Sequence, residues 1–390
     1  MTATLESVID RLPQIRQAVE AVRETLLANL VMIGEIPAPT FSEQARARFL
    51  SDRFAETGLQ HVSTDEMDNA AGVIPGAEGG RNILVVAHTD TLFAAKDDHT
   101  ISVEEDSVIG PGLGDNSLGV AVLATMPTLM EHLDVTFNSN IVLLGSSRSH
   151  GRGDLEGMRF FMDNMKMPVT AGICLEGVKL GRLSYCSIGM MRGEITVSVP
   201  EEYDWTRFRA SGAIRIINDV MNHILAIPLP RQPRTTVLFG AIRGGAAFDV
   251  IATHATLQFE IRSESAEMVQ QVTRRIRDIT EEVSAETDAV VTLDTIAHRE
   301  PGGVAFGHPI VRHARKIIKA LDVEPRLGPS LSELSTFISH SVPAVTLGIT
   351  TGERRHKANE LLHISPMITG VTQLAALLLA MDAGLEDDEA

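Results

Sequence analysis

The side chains that could do chemistry in this chain are imidazoles and carboxylates set at the ends of apolar runs. Residues 82–90 read NILVVAHTD, an unbroken apolar stretch from Ile83 to Ala87 that enters a histidine, a threonine and an aspartate. A short continuous run of this kind suits a strand buried on both faces, as in the middle of a parallel sheet. Residues two apart on a strand share a face, so His88 and Asp90 point the same way where the strand leaves the core. A metal-binding imidazole usually gives its second N–H to a carboxylate, which fixes the tautomer and raises ligand basicity. The spacing therefore suits a ligand and its orienter. It equally suits a histidine and an aspartate in an ordinary loop after a core strand.

Three further residues fall in comparable places. Asp115 sits in GPGLGDNSLGVAVLATM (110–126), where Gly112 and Gly114 allow a tight turn just before an apolar helix. A glycine-rich turn before a helix can also cradle phosphate, but the Lys-Ser/Thr of a phosphate loop is missing and an acid stands where the anion would bind. Glu176 ends the short apolar strand AGICLEG (171–177), and His356 lies in the loop TGERRHKANE (351–360). Strand ends and helix starts are where ligands collect in open α/β sheets. His88, Asp115, Glu176 and His356 are separated by 27, 61 and 180 residues, so the signal is the set and not a local motif. Histidine and carboxylate donors without a thiolate suit zinc, with cobalt or manganese as alternatives.

The elements that must position these groups follow from periodicity. Ile15, Val19, Val22, Leu26 and Ile33 predict a helix over about 14–34, broken by Pro37 and Pro39. Thr40 with Glu43 three residues on predicts a capping box opening a helix that stops at Gly58. NIVLLG (140–145) reads as another buried strand, with Asp154 expected to cap the helix that follows. Near residue 190 the pattern changes to a β-α-β-β-α-β order of about a hundred residues, a ferredoxin-like unit. Within it HATLQFEIR places Ala255, Leu257, Phe259 and Ile261 on one face and Thr256, Gln258, Glu260 and Arg262 on the other. The α/β pattern then resumes with a helix from Pro309, a strand PAVTLG and a closing helix. The chain thus divides into a discontinuous metal-binding α/β domain, 1–189 with 304–390, and an inserted domain, 190–303.

Composition bounds the function. With 390 residues, 44% hydrophobic and 22% charged, the chain can bury a large core. A net charge of −17 argues against nucleic-acid or anionic-membrane partners, whose phosphates it would repel. Two cysteines, Cys174 and Cys186, offer no disulfide framework and fit a reducing cytosol. The start, MTATLESVIDRLPQIRQ, has no apolar core of a signal peptide, and the expected location is cytoplasmic. LAALLLAM near the end is too short for a membrane span.

On these residues the chain resembles the dinuclear zinc peptidases and amidohydrolases that include tripeptidases, glutamate carboxypeptidases, aminoacylases and succinyl-diaminopimelate desuccinylase. The resemblance rests on IPAPTFSE (36–43), AHTDT (87–91), GPGLGDNSLG (110–119), GRGDLEGMR (151–159), LEG (175–177), GGAAFDVIATHATLQFEIRS (244–263) and TGERRHKANE (351–360). It implies a catalytic domain with a mixed central sheet flanked by helices and an inserted α+β lid and dimerisation domain, hence a homodimer. It implies His88 as ligand to one zinc, Asp90 as its orienter and Asp115 bridging two zincs. Glu176 would complete the first site and His356 the second. Substrates would be small peptides or N-acyl amino acids, hydrolysed at the amide bond by a zinc-activated water.

The chain departs from that pattern where the chemistry is concentrated. The family's Glu-Glu pair, general base and then zinc ligand, is here Ser149-His150. A serine hydroxyl accepts no proton at neutral pH without a base beside it. His150 can still ligate zinc, which gives a second site of Asp115, His150 and His356 with one or two ions per chain. The neutral ligand leaves that site about one charge more positive, which lowers the pKa of bound water but weakens retention of the ion. Alternatively His150 serves as the base. A nucleophilic Ser149 is disfavoured, because Gly145-Ser146-Ser147-Arg148-Ser149 lacks the closing glycine of a nucleophile elbow. The family's lid histidine falls loosely at Tyr203, and its asparagine before Val-Ile is Asp249. Arg148 and Arg152 flank His150, where they either bind a substrate carboxylate or stand as solvated loop charges. Two readings result: a metal-dependent hydrolase with an atypical or impaired base, or an inactive paralogue that binds a peptide-like ligand or acts as a scaffold.

Overall fold

The computed structural model describes residues 4–200 and 212–384, which form two compact units, 1–187 with 303–390 and 188–302. Tyr203 lies outside the described residues.

The larger unit is built on an eight-stranded mixed sheet. Its order is Gln60–Thr64, Ala70–Ile74, Asn140–Ser146, Asn82–His88, Val169–Val178, Ala344–Thr350, Arg182–Ser184 and Arg326–Leu327. The apolar strand Asn82–His88 is buried at every residue and pairs in parallel with both neighbours. Ala70–Ile74 runs antiparallel to both of its neighbours, which makes the sheet mixed. Side chains of the central strand alternate between two cores. Ile83 and Val85 pack in one cluster with Leu118, Leu123, Leu374 and Leu378 from covering helices. Leu84 and Val86 pack on the other face with Leu144, Leu334 and Phe337. By the same alternation His88 extends the Leu84–Val86 face.

The closing helix Ile364–Ala383 is long and apolar enough to cross a membrane, yet 83% of that window is buried inside the unit. It lies so close to Ala344–Thr350 that a Cβ at Gly370 would stand 1.8 Å from the Ile349 carbonyl oxygen. The single helix expected over about 14–34 is two, Leu12–Ala21 and Arg23–Gly34, because the chain turns at Val22, and a further helix, Leu5–Asp10, precedes them.

Two local expectations are corrected. The helix Gln44–Glu56 has no side-chain cap, since Thr40 and Glu43 are recruited by distant partners described below. Asp154 does not cap the helix Glu156–Asn164 either; it pairs with Arg159 at 2.7 Å, and the left-handed Leu155 stands at the helix start.

The smaller unit carries a four-stranded antiparallel sheet in the order Thr235–Gly244, His254–Ser263, Gly189–Ser198 and Val290–Arg299. With the helices Ala213–Leu225 and Ala266–Glu286 this is the ferredoxin-like arrangement. Leu257, Phe259 and Ile261 are buried against Ile217 and Ile276. On the opposite face Glu260 is held by Arg192 and Arg262.

Candidate metal centre

The site grows from the carboxyl end of the strand Asn82–His88. His88 is the last residue of that strand, and two positions on Asp90 turns back so that His88 Nδ1 lies 3.1 Å from its carbonyl oxygen and 3.4 Å from Oδ1. Asp90 is fully buried and also accepts from Thr40 Oγ1 at 2.8 Å, Ser149 N at 3.0 Å and His150 N at 2.9 Å. One carboxylate therefore orients an imidazole and fixes the backbone of residues 149 and 150.

The turn that follows Gly112 (φ +63°) delivers Asp115. The turn is clamped by Asn116, whose Nδ2 donates to Leu175 O at 2.7 Å while its Oδ1 accepts from Gly177 N at 3.0 Å. Those contacts bracket Glu176, so the Gly-Asp-Asn turn and the strand carrying Glu176 are held as one piece. Asp115 is the hub. Its Oδ1 lies 3.1 Å from His88 Nε2 and 3.8 Å from His150 Nε2; its Oδ2 lies 3.5 Å from His356 Nδ1 and 3.4 Å from Arg355.

Among the described residues one group of three donors is compact enough to hold an ion: His88, Asp115 and His150, with ligand atoms within 4.8 Å of one another. The His150 ring meets His88 edge-on at 4.7 Å, and its Nε2 is buried with no hydrogen-bond partner. Burial, and then the charge of His88, lower the His150 pKa and favour the neutral ring with a free lone pair. Burial opposes charge on His88 as well, but its bonds to Asp115 and Asp90 win and hold it well above the usual range. Asp115 and Asp90 are pulled well below theirs by the same imidazole, against burial. An orphaned buried imidazole nitrogen facing a carboxylate and a second imidazole is a donor set that fits a divalent ion such as zinc.

The remaining sequence-derived residues lie around this core in different states. Glu176 is buried, and its Oε2 faces Arg182 at 3.4 Å and Arg355 at 3.7 Å instead of an imidazole. Burial raises its pKa against the pull of Arg182. The His356 side chain is 46% exposed and joins the group only through Asp115. Arg148 does not present an open guanidinium: it pairs with Glu156 at 2.9 Å and lies over the Phe41 ring. Arg152 is exposed, and so is Asp249, which belongs to the other unit.

Several site residues carry no local signal in the sequence. Glu43 is buried and accepts from Phe41 N and Arg148 N, which anchors the loop before His150. Arg46, also fully buried, donates to Ile36 O, Thr89 O and Ser117 Oγ. Glu333 accepts from Ser149 Oγ at 2.6 Å. Glu360 accepts from Gly114 N at 3.0 Å and has its other oxygen buried without a partner.

Glu360 gives a pH prediction. Burial raises its pKa from an ordinary 4.5 to about 7. Between those values the folded, metal-free protein holds a proton there that the unfolded chain has lost, so stability falls as pH rises. The expected effect is at most about 3 kcal/mol. Denaturant unfolding in chelator at pH 5 and pH 8 reads it, and E360Q flattens the difference between the two.

The sequence over residues 207–288 matches the peptidase dimerisation domain of the M20 family. No curated protein sequence matches the chain. Among solved structures, a tripeptidase from Staphylococcus aureus subsp. aureus mu50 superposes with a TM-score of 0.75 at 18% identity, covering 93% of this chain and 98% of that one. The di-peptidase Dug1p from Saccharomyces cerevisiae gives 0.77 at 14% identity, covering 99% of this chain and 100% of that one. A dinuclear metal-binding peptidase of the M20 family from Bacillus subtilis gives 0.63 at 15% identity, covering 93% of this chain and 99% of that one. The chain has the fold of the M20 metallopeptidases and carries their dimerisation domain.

Proposed function

We propose that this protein is a zinc-dependent hydrolase of amide bonds in small peptides or N-acyl amino acids. The observation that carries this reading is the unpartnered, buried His150 Nε2 set against Asp115 and His88. The roles follow from the contacts. His88, Asp115 and His150 hold an ion. Asp90 keeps His88 in the tautomer whose Nε2 lone pair faces the site. In a two-ion arrangement bridged by Asp115, Glu176 completes the site at His88 and His356 the site at His150, and Arg355 competes with an ion by lying between Asp115 and Glu176. Cobalt or manganese are the alternatives to zinc. When bound, such an ion polarises the scissile carbonyl and acidifies the attacking water.

The inserted unit serves as the dimerisation surface in this reading, which its match to the peptidase dimerisation domain supports. Arg152 of the larger unit, exposed beside His150 in sequence, is assigned to the substrate. The protein is then a cytoplasmic homodimer. The tripeptidase and di-peptidase neighbours support small peptides as the substrate class.

A panel of di- and tripeptides and N-acyl amino acids, assayed with added zinc, cobalt or manganese, tests the reading. Turnover that chelator abolishes and metal restores is expected; no turnover of any member overturns it. One observation favours a second reading, an inactive paralogue that binds a peptide-like ligand: the position expected to carry the base is Ser149. In that case wild type is silent across the panel and S149E gains hydrolysis.

A further inference from the structure

We propose that Glu333 supplies the proton acceptor that position 149 lacks, working through the Ser149 hydroxyl. The inference rests on the hydrolase reading above and names its base.

The geometry is specific. Ser149 Oγ donates to Glu333 Oε1 at 2.6 Å, a short bond of the charge-assisted kind. Ser149 is 8% exposed and Glu333 3% exposed, so little bulk water screens the pair. The Ser149 backbone is tied to Asp90 Oδ1, and the next residue, His150, belongs to the metal-binding group. The hydroxyl is therefore carried one residue before a proposed ligand, on backbone that cannot drift without breaking the Asp90 contacts.

Glu333 is held as firmly. It stands at the start of the short helix Leu334–Ser339, and its carbonyl accepts from Thr336 N and Phe337 N. Leu334 and Phe337 are buried with Leu84 and Val86, on the sheet face that His88 extends. The carboxylate acts electrostatically on His88, His150 and Glu176, which places it within the field of the site. Serine leaves no carboxylate at position 149, and the chain brings one in 184 residues further along its sequence.

The step balances with the residues named. The water oxygen bonds to the scissile carbonyl carbon while its proton passes to Ser149 Oγ and the Ser149 proton passes to Glu333 Oε1. As the C–N bond breaks, the proton returns along the same two atoms to the leaving amine nitrogen, and Glu333 ends ionised. Serine acts as a relay here and forms no acyl intermediate.

The test uses E333Q, S149A and the exchange variant S149E/E333S in the metal-loaded full-length protein. For each, kcat, KM, the pH profile of kcat, bound metal by mass spectrometry and the melting temperature are measured. The expected result is that E333Q and S149A keep metal and KM and lose roughly 10²–10⁴-fold in kcat, the usual range for a lost general base. The exchange variant should recover activity by moving the carboxylate back to position 149. Full activity in E333Q, with metal bound, overturns the proposal and leaves the hydrolase reading intact. Loss of metal together with activity in E333Q assigns Glu333 a structural role and also overturns it. Should E333Q not fold, the exchange variant decides: hydrolysis supports the proposal, and a metal-loaded but silent protein overturns it. Absence of hydrolysis in wild type sinks the hydrolase reading itself, and the base assignment with it.

Discussion

D115N is expected to yield a folded protein that no longer retains metal. Asp115 touches His88, His150, His356 and Arg355, so every route by which the histidines share an ion passes through its carboxylate. Asparagine keeps the shape and removes the charge. Losing an outer-shell partner of a metal site typically costs 10–100-fold in affinity, so losing the central ligand should cost more than ~100-fold. Two secondary effects follow. His88 loses one of the two bonds that outweigh its burial, so its pKa falls back. Arg355 loses a partner and is left with Glu176. Metal retained after dialysis, measured by mass spectrometry, reads the result; wild-type metal content in D115N would mean that the ion binds elsewhere.

The largest expected effect on stability comes from Arg46. Its guanidinium is fully buried, and burial lowers its pKa only to about 10, so it stays charged at neutral pH. It donates to Ile36 O at 2.8 Å and to Thr89 O and Ser117 Oγ at 3.1 Å each. Thr89 lies between His88 and Asp90, and Ser117 lies two residues past Asp115. This one side chain thus ties both ligand-bearing turns to the helix Gln44–Glu56. R46M matches the length and leaves those acceptors unpaired in a dry interior. Each stranded buried acceptor costs about 1–3 kcal/mol, so a loss of about 3–5 kcal/mol is expected, a large part of an ordinary domain's stability of about 5–15 kcal/mol. R46K keeps the charge without the planar fork and should recover only part of it. Urea unfolding midpoints give the answer, and a loss below about 1 kcal/mol would show that water or neighbouring groups replace the fork.

How much of this was legible in the sequence depends on the range of the interaction involved. The strand Asn82–His88 could be read because a continuous apolar run reports burial on both faces directly. The smaller unit could be read because Ala255, Leu257, Phe259 and Ile261 alternate with polar residues, and period two is a local property. The contact between His88 and Asp90 follows from the same local geometry. Thr40 and Glu43 were misread as a capping box because the pattern is short-range, whereas their side chains bond Asp90 and the Arg148 backbone 50 and 105 residues away. Arg148 looked open because nothing in the flanking residues announces a pair with Glu156 across a turn. The Ser149–Glu333 contact spans 184 residues, and an isolated glutamate in a Ser-rich loop has no periodicity or motif to mark it. Arg355 shows the same limit in reverse. It neighbours His356 in sequence, and only the fold reveals that it lies between Asp115 and Glu176.

The central claim is that imidazoles and a carboxylate far apart in the chain share an ion. Anomalous diffraction at the zinc edge from crystals of the zinc-loaded protein tests it most directly. The account predicts a peak within about 2.0–2.2 Å of His88 Nε2, His150 Nε2 and an Asp115 carboxylate oxygen. A protein that takes up no metal, or a peak away from these three side chains, would contradict it.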